Sequence, residues 1–456
     1  MMKALLVGVQ LPSTSNEDHA ASLQELRRLV TTLGYEVIGE LSQKRNSDRG
    51  ANVLGDGRLK ILAEWTDGTG VVASMVQHKK SKAALKFTKN LEAPTDELTE
   101  EDSENSETPQ EPKEKAEIVI FDCDLSPSQL RNLESATGVQ VLDRTGVIIE
   151  IFSRHARTKS ARLQVEIARL TYVAPRLRET GGGADRQGGG VGGKGSGETS
   201  LELDRRNIRD RIKELKIELN SIQNEHLVRR AKRDQEISVA LVGYTNAGKS
   251  SLMRAMTGSE VLVADKLFAT LDTTVRPMVP ESRPKILISD TVGFIKKLPH
   301  DLVASFRSTL DEALNASLLL FIVDASDPTF RSQLEVTRQD LNEVGATDVP
   351  SFLILNKKDR LTSEQLNALK AEYPEAIFLS TRDSEDLTAL RLRLIDNFET
   401  DMQDEDVYIP YTNKGAIGEI RSKMRVLSES YDAQGTTLKV RATAEALSRL
   451  RKKFSI

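Results

Sequence analysis

The run Gly243-Tyr244-Thr245-Asn246-Ala247-Gly248-Lys249-Ser250 constrains this chain more than any other feature. It fits G-x-x-x-x-G-K-[ST], with a strand-like apolar segment, SVALVG, leading in and a helix-like segment, SLMRAMTG, leading out. Strand, glycine loop and helix in that order turn backbone N–H groups inward around phosphate oxygens, at the positive end of a helix. Lys249 is placed to reach the β- and γ-phosphates and Ser250 to ligate Mg²⁺, with Ser251 beside it at the helix start. The surrounding segment is thereby expected to be an α/β nucleotide-binding domain.

Three further motifs narrow the nucleotide. Asp290-Thr291-Val292-Gly293 ends the next apolar strand, where Asp290 can hold Mg²⁺ through water and the Gly293 amide can sense a γ-phosphate. Asn356-Lys357-Lys358-Asp359 follows the strand SFLIL and matches N-K-x-D. An aspartate there accepts from both N1–H and the 2-amino group of guanine, whereas adenine offers an acceptor at N1 and no 2-amino group. Losing such a pair costs several kcal/mol on the order of what buried unpaired groups cost, so the motif predicts GTP and GDP. Ser380-Thr381 after the last strand would complete the base pocket. Leu267–Thr274 lies where a first switch loop belongs, and one of its threonines is expected to bind Mg²⁺ and report the γ-phosphate. The residue after Gly293 is Phe294, in a place where Ras-like enzymes carry a water-orienting glutamine. Phe294 has no group for that task, so unaided hydrolysis is expected to be slow.

Around this domain the hydrophobic period changes several times. Residues 3–9, Tyr35–Leu41, Glu117–Asp122 and Val139–Asp143 read as strands, with helices at Ala20–Leu33 and Ser126–Thr137, an alternation that implies a mainly parallel sheet in residues 1–150. Within it, residues 92–114 carry ten acidic side chains, one lysine and three prolines, so a disordered acidic insertion is expected over about 91–116. From Arg157 the spacing becomes 4-3-4-3, at Leu163, Ile167, Leu170, Ala174 and Leu177 and again at Ile208, Ile212, Leu215, Leu219 and Ile222. Two such seams joined by the glycine-rich loop 181–197 predict an antiparallel helical hairpin of coiled-coil type over residues 151–235, with Pro175 disturbing its first helix. Strands are expected at Ile237–Val242, Lys285–Asp290, Leu318–Val323, Ser351–Asn356 and Ala376–Leu379 of the G domain, residues 236–400. Residues 401–456 read as a small βαββα domain with helices near Lys414–Leu427 and Ala444–Phe454. The fold class expected is therefore α/β multidomain: an N-terminal α/β subdomain, a helical hairpin, a P-loop GTPase domain and a small α+β C-terminal domain.

The single cysteine, Cys123, excludes an intrachain disulfide and a cysteine-rich metal site, and reads as core filler. No apolar run approaches the ~18 residues needed to span a bilayer. The expected location is the cytoplasm, with partial association at the membrane surface as a further expectation.

The sequence resembles the HflX-type GTPases, which bind ribosomes and their large subunits. The resemblance rests on Phe121-Asp122-Cys123-Asp124-Leu125-Ser126-Pro127, Val141-Leu142-Asp143-Arg144-Thr145-Gly146 and Arg154-His155-Ala156-Arg157-Thr158. It continues through Leu163-Gln164-Val165-Glu166, Pro175-Arg176-Leu177, Gly195-Ser196-Gly197-Glu198-Thr199 and Leu267–Asp272. It implies GTP-dependent binding to the large subunit and, for several members, splitting of stalled ribosomes. Family members show Asp-Pro-Thr where this chain has Asp272-Thr273-Thr274, which carries the switch-loop Mg²⁺ ligand to Thr274. Lys249, Thr274 and Gly293 are then the candidate catalytic residues. The chain departs from the family at Thr273, at Gly195-Ser196-Gly197 in place of Gly-Pro-Gly, and over residues 70–116, which look inserted.

Charge points the same way. Residues 151–235 hold nineteen Lys or Arg against eleven Asp or Glu, a local +8 in a chain of net −4. Arg176, Arg178, Arg186, Lys194, Arg205, Arg206 and Arg209 flank the glycine-rich loop and suit an RNA backbone, where affinity comes mainly from phosphate contacts. Stacking aromatics are scarce there, so base-specific reading is not expected. The partner expected is ribosomal RNA of the large subunit, with no DNA, no integral membrane association and a monomeric state. A GTP-switched assembly or hibernation factor without splitting activity is the first rival reading, and a P-loop small-molecule kinase the second.

Overall fold

The computed structural model describes the chain apart from residues 52, 73–113, 178–199, 232–236, 259–266, 269–273, 283–284, 297–311, 347, 401, 414 and 455–456. The acidic stretch and the glycine-rich loop expected from the sequence lie outside the described residues, almost entirely for the first and wholly for the second. Two compact units divide the chain, Met1–Ile148 and Ile149–Ile456.

In the first unit, strands β1 (Lys3–Gln10), β2 (Glu36–Lys44), β3 (Ile118–Phe121) and β4 (Gln140–Asp143) form a wholly parallel sheet in the order β2-β1-β3-β4. Helix α1 (Asn16–Thr32) starts earlier than the expected Ala20, because the Ser15 side chain caps it by accepting the Asp18 N–H. Helix α2 (Asp56–Glu64) has no counterpart in the sequence reading. Helix α3 (Pro127–Thr137) begins with a capping box between Ser126 and Gln129 and ends at Gly138 in the left-handed region. Leu5, Val7, Val119, Phe121 and Leu133 form the core between sheet and helices, and half-buried Cys123 packs against it. Among the described residues Arg144 is the largest fully buried side chain; it pairs with Asp122 at 2.6 Å and with Glu25, so its charge enters the core compensated.

Helix α4 (Arg144–His155), also absent from the sequence reading, follows β4 without a loop and runs across the division between units. Helix α5 (Lys159–Val173) ends in a short 3-10 turn at Ala174–Arg176 that contains Pro175, and α6 (Ser200–Ala231) returns beside it. The predicted seams meet: Leu163 and Ile167 bury against Leu215 and Leu219, with Leu170, Ile212 and Ile222 partly buried around them. Lys159 pairs with Glu218 and Arg211 with Glu166, and this crossed register makes the two helices antiparallel.

Strands β5 (Ile237–Gly243), β6 (Thr274–Pro277), β7 (Ile286–Asp290), β8 (Leu318–Asp324), β9 (Ser351–Asn356) and β10 (Ile377–Phe378) form a second sheet ordered β10-β9-β8-β5-β7-β6. It is parallel except at β6, which pairs antiparallel with β7. Thr274, expected at the end of a switch loop, opens β6, a strand the pattern does not announce: the segment TVRP has neither alternation nor length, and it forms as an edge against β7. Helices α7 (Lys249–Thr257), α8 (Phe330–Val344), α9 (Ser363–Glu372) and α10 (Ser384–Glu399) lie in this domain.

The last sheet is antiparallel, ordered β11-β13-β12, with β11 at Gln403–Pro410, β12 at Arg425–Tyr431 and β13 at Gly435–Ala442. With α11 (Ala416–Lys423) and α12 (Ala444–Phe454) it gives the expected βαββα order. The expected helix Lys414–Leu427 is too long, because pairing of Arg425 and Val426 with β13 takes the chain out of the helix after Lys423.

Candidate functional site

Strand β5 is one of the two central strands of the six-stranded sheet, flanked by β7 and β8, and its apolar run is buried. It therefore delivers Gly243 to the carboxyl edge of the sheet, the usual ligand edge of open α/β folds. The loop closes into α7 at Gly248, whose φ of +102° lies in the region favouring glycine. A Cβ there would also lie 2.2 Å from the Asn356 side-chain nitrogen, which donates to the Ala247 carbonyl at 2.9 Å. Asn356 thus ties the phosphate loop to the strand end that carries the base motif.

Lys249 is 6% exposed, and its Nζ donates to the carbonyls of Gly243 and Tyr244 at 2.9 and 2.7 Å. Burial pushes its pKa down to about 8, only partly countered by the Asp290 carboxylate. A buried cation with a neighbouring helix N-terminus is a strong receptor for phosphate oxygens. Ser250 Oγ donates to Asp290 Oδ2 at 2.7 Å, and Asp290 stands opposite Thr274 in the β6–β7 register. The three residues expected to serve Mg²⁺ are thereby gathered at one point. All their donors are oxygens, which fits a hard cation. Ser251 is half-buried in the first turn of α7.

Gly293 lies against the lysine: a Cβ added there would come 2.9 Å from Lys249 Nζ. Its neighbour Phe294 is buried, donates its N–H to the Gly243 carbonyl at 3.1 Å and accepts the Thr245 N–H at 2.8 Å. Phe294 therefore fastens this turn to the phosphate loop by its backbone, and its side chain is a plug in the core. Tyr244 supports the same junction, its hydroxyl accepting the Lys296 N–H at 2.6 Å.

At the base end, Lys357 takes a left-handed φ of 63° and reaches back to the Asn246 carbonyl at 2.9 Å and to Asp324 at 2.6 Å. Asp359 sits in the 3-10 turn Lys358–Arg360 and accepts from Ser380 Oγ at 2.7 Å, a bond that holds its carboxyl below the usual range. Thr381 follows, half-buried. Asp324 and Asp386 escaped the sequence reading. An acid ending the apolar strand LLLFIVD at the ligand edge was a usable signal for Asp324. For Asp386 there was none.

Of the basic residues, Arg205, Arg206 and Arg209 lie exposed on α6. Arg176 instead folds over the Tyr172 ring at 3.5 Å and donates to the Tyr172 carbonyl. Arg178, Arg186 and Lys194 are outside the described residues.

Because the phosphate loop and the base-recognition turn share one sheet edge and are joined through Asn356, this part of the chain is a P-loop GTPase domain. Residues 238–357 match the family model for a 50S ribosome-binding GTPase, 155–233 that for the GTP-binding GTPase middle region and 72–153 that for the GTP-binding GTPase N-terminal region. The chain belongs to the HflX GTPase family and is a GTP-hydrolysing enzyme. It is 57% identical to the GTPase HflX of Gluconacetobacter diazotrophicus over 99% of this chain and 98% of that one. With the Escherichia coli K12 GTPase HflX it shares 33% identity over 85% of this chain and 82% of the relative. The solved complex of SsGBP with GDP aligns over 87% of this chain and 99% of its own, at 23% identity and a TM-score of 0.43.

Proposed function

We propose that this GTPase binds the large ribosomal subunit in its GTP form and splits stalled or idle ribosomes. The observation that supports it most is the exposed arginine row Arg205, Arg206 and Arg209 on α6, a helix whose apolar side is already spent on α5. A row of guanidinium groups on a projecting helix suits rRNA phosphates.

In this reading the G domain, residues 236–400, works as the switch. Lys249 holds the β- and γ-phosphates, the loop amides of residues 244–248 line the phosphates, and Asp359 with Ser380 and Thr381 selects guanine. Ser250 and Thr274, with Asp290 through water, would hold Mg²⁺, which when bound neutralises charge on the β- and γ-phosphates. Thr274 and Gly293 order around the γ-phosphate, and the hairpin, residues 151–235, engages rRNA. Phe294 cannot orient the attacking water, so the ribosome supplies what the chain lacks, and hydrolysis permits release. The protein acts as a cytoplasmic monomer without DNA contacts. No helix among the described residues is long and apolar enough to cross a membrane.

Sucrose-gradient profiles test the splitting step. With a non-hydrolysable GTP analogue the protein is expected to co-sediment with large subunits while the intact-ribosome peak shrinks. Co-sedimentation without loss of that peak would favour an assembly or hibernation factor.

A further inference from the structure

The two loops that form the base end of the site have little ladder to hold them. Strands β9 and β10 pair at only two positions, Ile354↔Ile377 and Leu355↔Phe378, before the chain turns to Asp359 on one side and Ser380 on the other. Two backbone bonds continue the ladder, Leu379 N–H to the Leu355 carbonyl and Lys358 N–H to the Leu379 carbonyl, the second at 3.2 Å.

Asp386, in the first turn of α10, reaches both loops with one carboxylate. Its Oδ2 accepts the Ser380 backbone N–H at 2.7 Å, and its Oδ1 pairs with the Lys358 ammonium. The Asp386 side chain is 14% exposed, so these bonds are partly shielded from water. Ser380 Oγ in turn donates to Asp359 Oδ1 at 2.7 Å. Lys358 is the residue just before Asp359, so the two arms of Asp386 end on the residue that hydrogen-bonds the Asp359 carboxylate and on the residue that precedes it in the chain.

We propose that Asp386 is a positioning residue for guanine selection, fixing the orientation of the Asp359 carboxylate through Ser380 on one arm and Lys358 on the other. The proposal rests on Asp359 being the guanine acceptor. A bidentate pair with N1–H and the 2-amino group tolerates little rotation, since productive geometry must be held within about 10–20°. The charges suit the arrangement: the hydrogen bond to Asp386 raises the Lys358 pKa, and the Ser380 bond lowers that of Asp359. Both stay ionised through the neutral range.

The test compares GDP with IDP, which lacks the 2-amino group, by titration calorimetry on the full chain. Asp386→Ala is expected to reduce the GDP-over-IDP preference by about tenfold. Asp386→Asn keeps an acceptor for Ser380 N–H but loses the charge facing Lys358, and is expected to fall between; it also serves if the alanine variant does not fold. Lys358→Met should match Asp386→Asn. Asp359→Ala should abolish the preference. A wild-type preference in folded Asp386→Ala or Asp386→Asn, with Asp359→Ala collapsed, overturns the clamp and leaves the base reading intact. An unchanged preference in Asp359→Ala overturns both.

Discussion

Phe268 meets Phe152 edge-on, with ring centroids 4.6 Å apart and planes inclined at 76°. Both rings are buried, and Phe268 holds a φ of 57°, uncommon for a residue with a side chain. Left-handed backbone at such a residue costs roughly 1–2 kcal/mol, which burial of the ring offsets. Phe152 lies on α4, which leads into the hairpin helix α5, while Phe268 is the second residue of Leu267–Thr274, the segment read as the first switch loop. The contact thus links the segment read as the first switch loop to the helix that leads into the hairpin.

Phe268→Leu should loosen that link without touching a phosphate contact. In the intact protein, amides of α4 are expected to exchange more slowly with a GTP analogue than with GDP. The variant should lose this difference and keep its GDP affinity. Retention of the full difference would show that the rings carry no coupling.

Lys249 gives the protein a proton signature. Its pKa is about 8 in the fold against roughly 10.4 in an unfolded chain, so the ammonium form costs folding on the order of 3 kcal/mol. The sign follows from the neutral form being favoured by burial: the cost is complete below pH 8 and is relieved as pH rises from there toward 10.4. A bound phosphate favours the charged form and raises the pKa again. GDP binding at pH 9 should therefore take up a substantial part of a proton, and at pH 7 much less. Calorimetry in two buffers of different ionisation enthalpy reads this directly, and zero uptake at pH 9 would contradict it.

Asp359→Asn turns an acceptor toward guanine N1–H into a mixed donor and acceptor. Preference should shift from GTP toward the xanthine nucleotide, whose C2 carbonyl can accept. Competition binding with unchanged GTP affinity would remove Asp359 from the base pocket.

Leu215 is fully buried in the seam against Leu163 and Ile167. Leu215→Ala should destabilise the hairpin by about 2–5 kcal/mol and speed proteolysis within α5 and α6. GDP binding should persist, because no nucleotide-contacting residue lies there. Unchanged proteolysis would argue against the seam as the hairpin's main support.

What the sequence made legible was local in the chain. The phosphate loop, the N-K-x-D turn and the two apolar seams are each written in consecutive or regularly spaced residues; the first two form where their patterns place them, and the seams form at Leu163–Leu170 and Ile212–Ile222, while Ala174 lies in the 3-10 turn and Leu177 after it. What stayed hidden depends on distant partners. Arg144 is buried only because Glu25 and Asp122 meet it, 119 and 22 residues away. Helix α4 reads TGVIIEIFS, a β-branched run that suggests a strand until burial on several sides makes it a helix. Strand β6 needs β7 beside it, and α11 was overextended because its helical spacing runs on into residues that β13 claims. Asp386 is a surface-looking acid whose partners come from two separate loops.

The central claim is that the ribosome activates this GTPase through the hairpin. Its most direct test is GTP turnover with and without purified large ribosomal subunits, for the intact protein and for a variant in which residues 181–197 are replaced by a short Gly-Ser link. Subunits are expected to stimulate the intact protein on the order of 10³-fold, as partners acting in trans do, and the linked variant little, with equal unstimulated rates. Equal stimulation of both proteins would contradict the hairpin's role, and no stimulation of the intact protein would contradict the ribosome as activator.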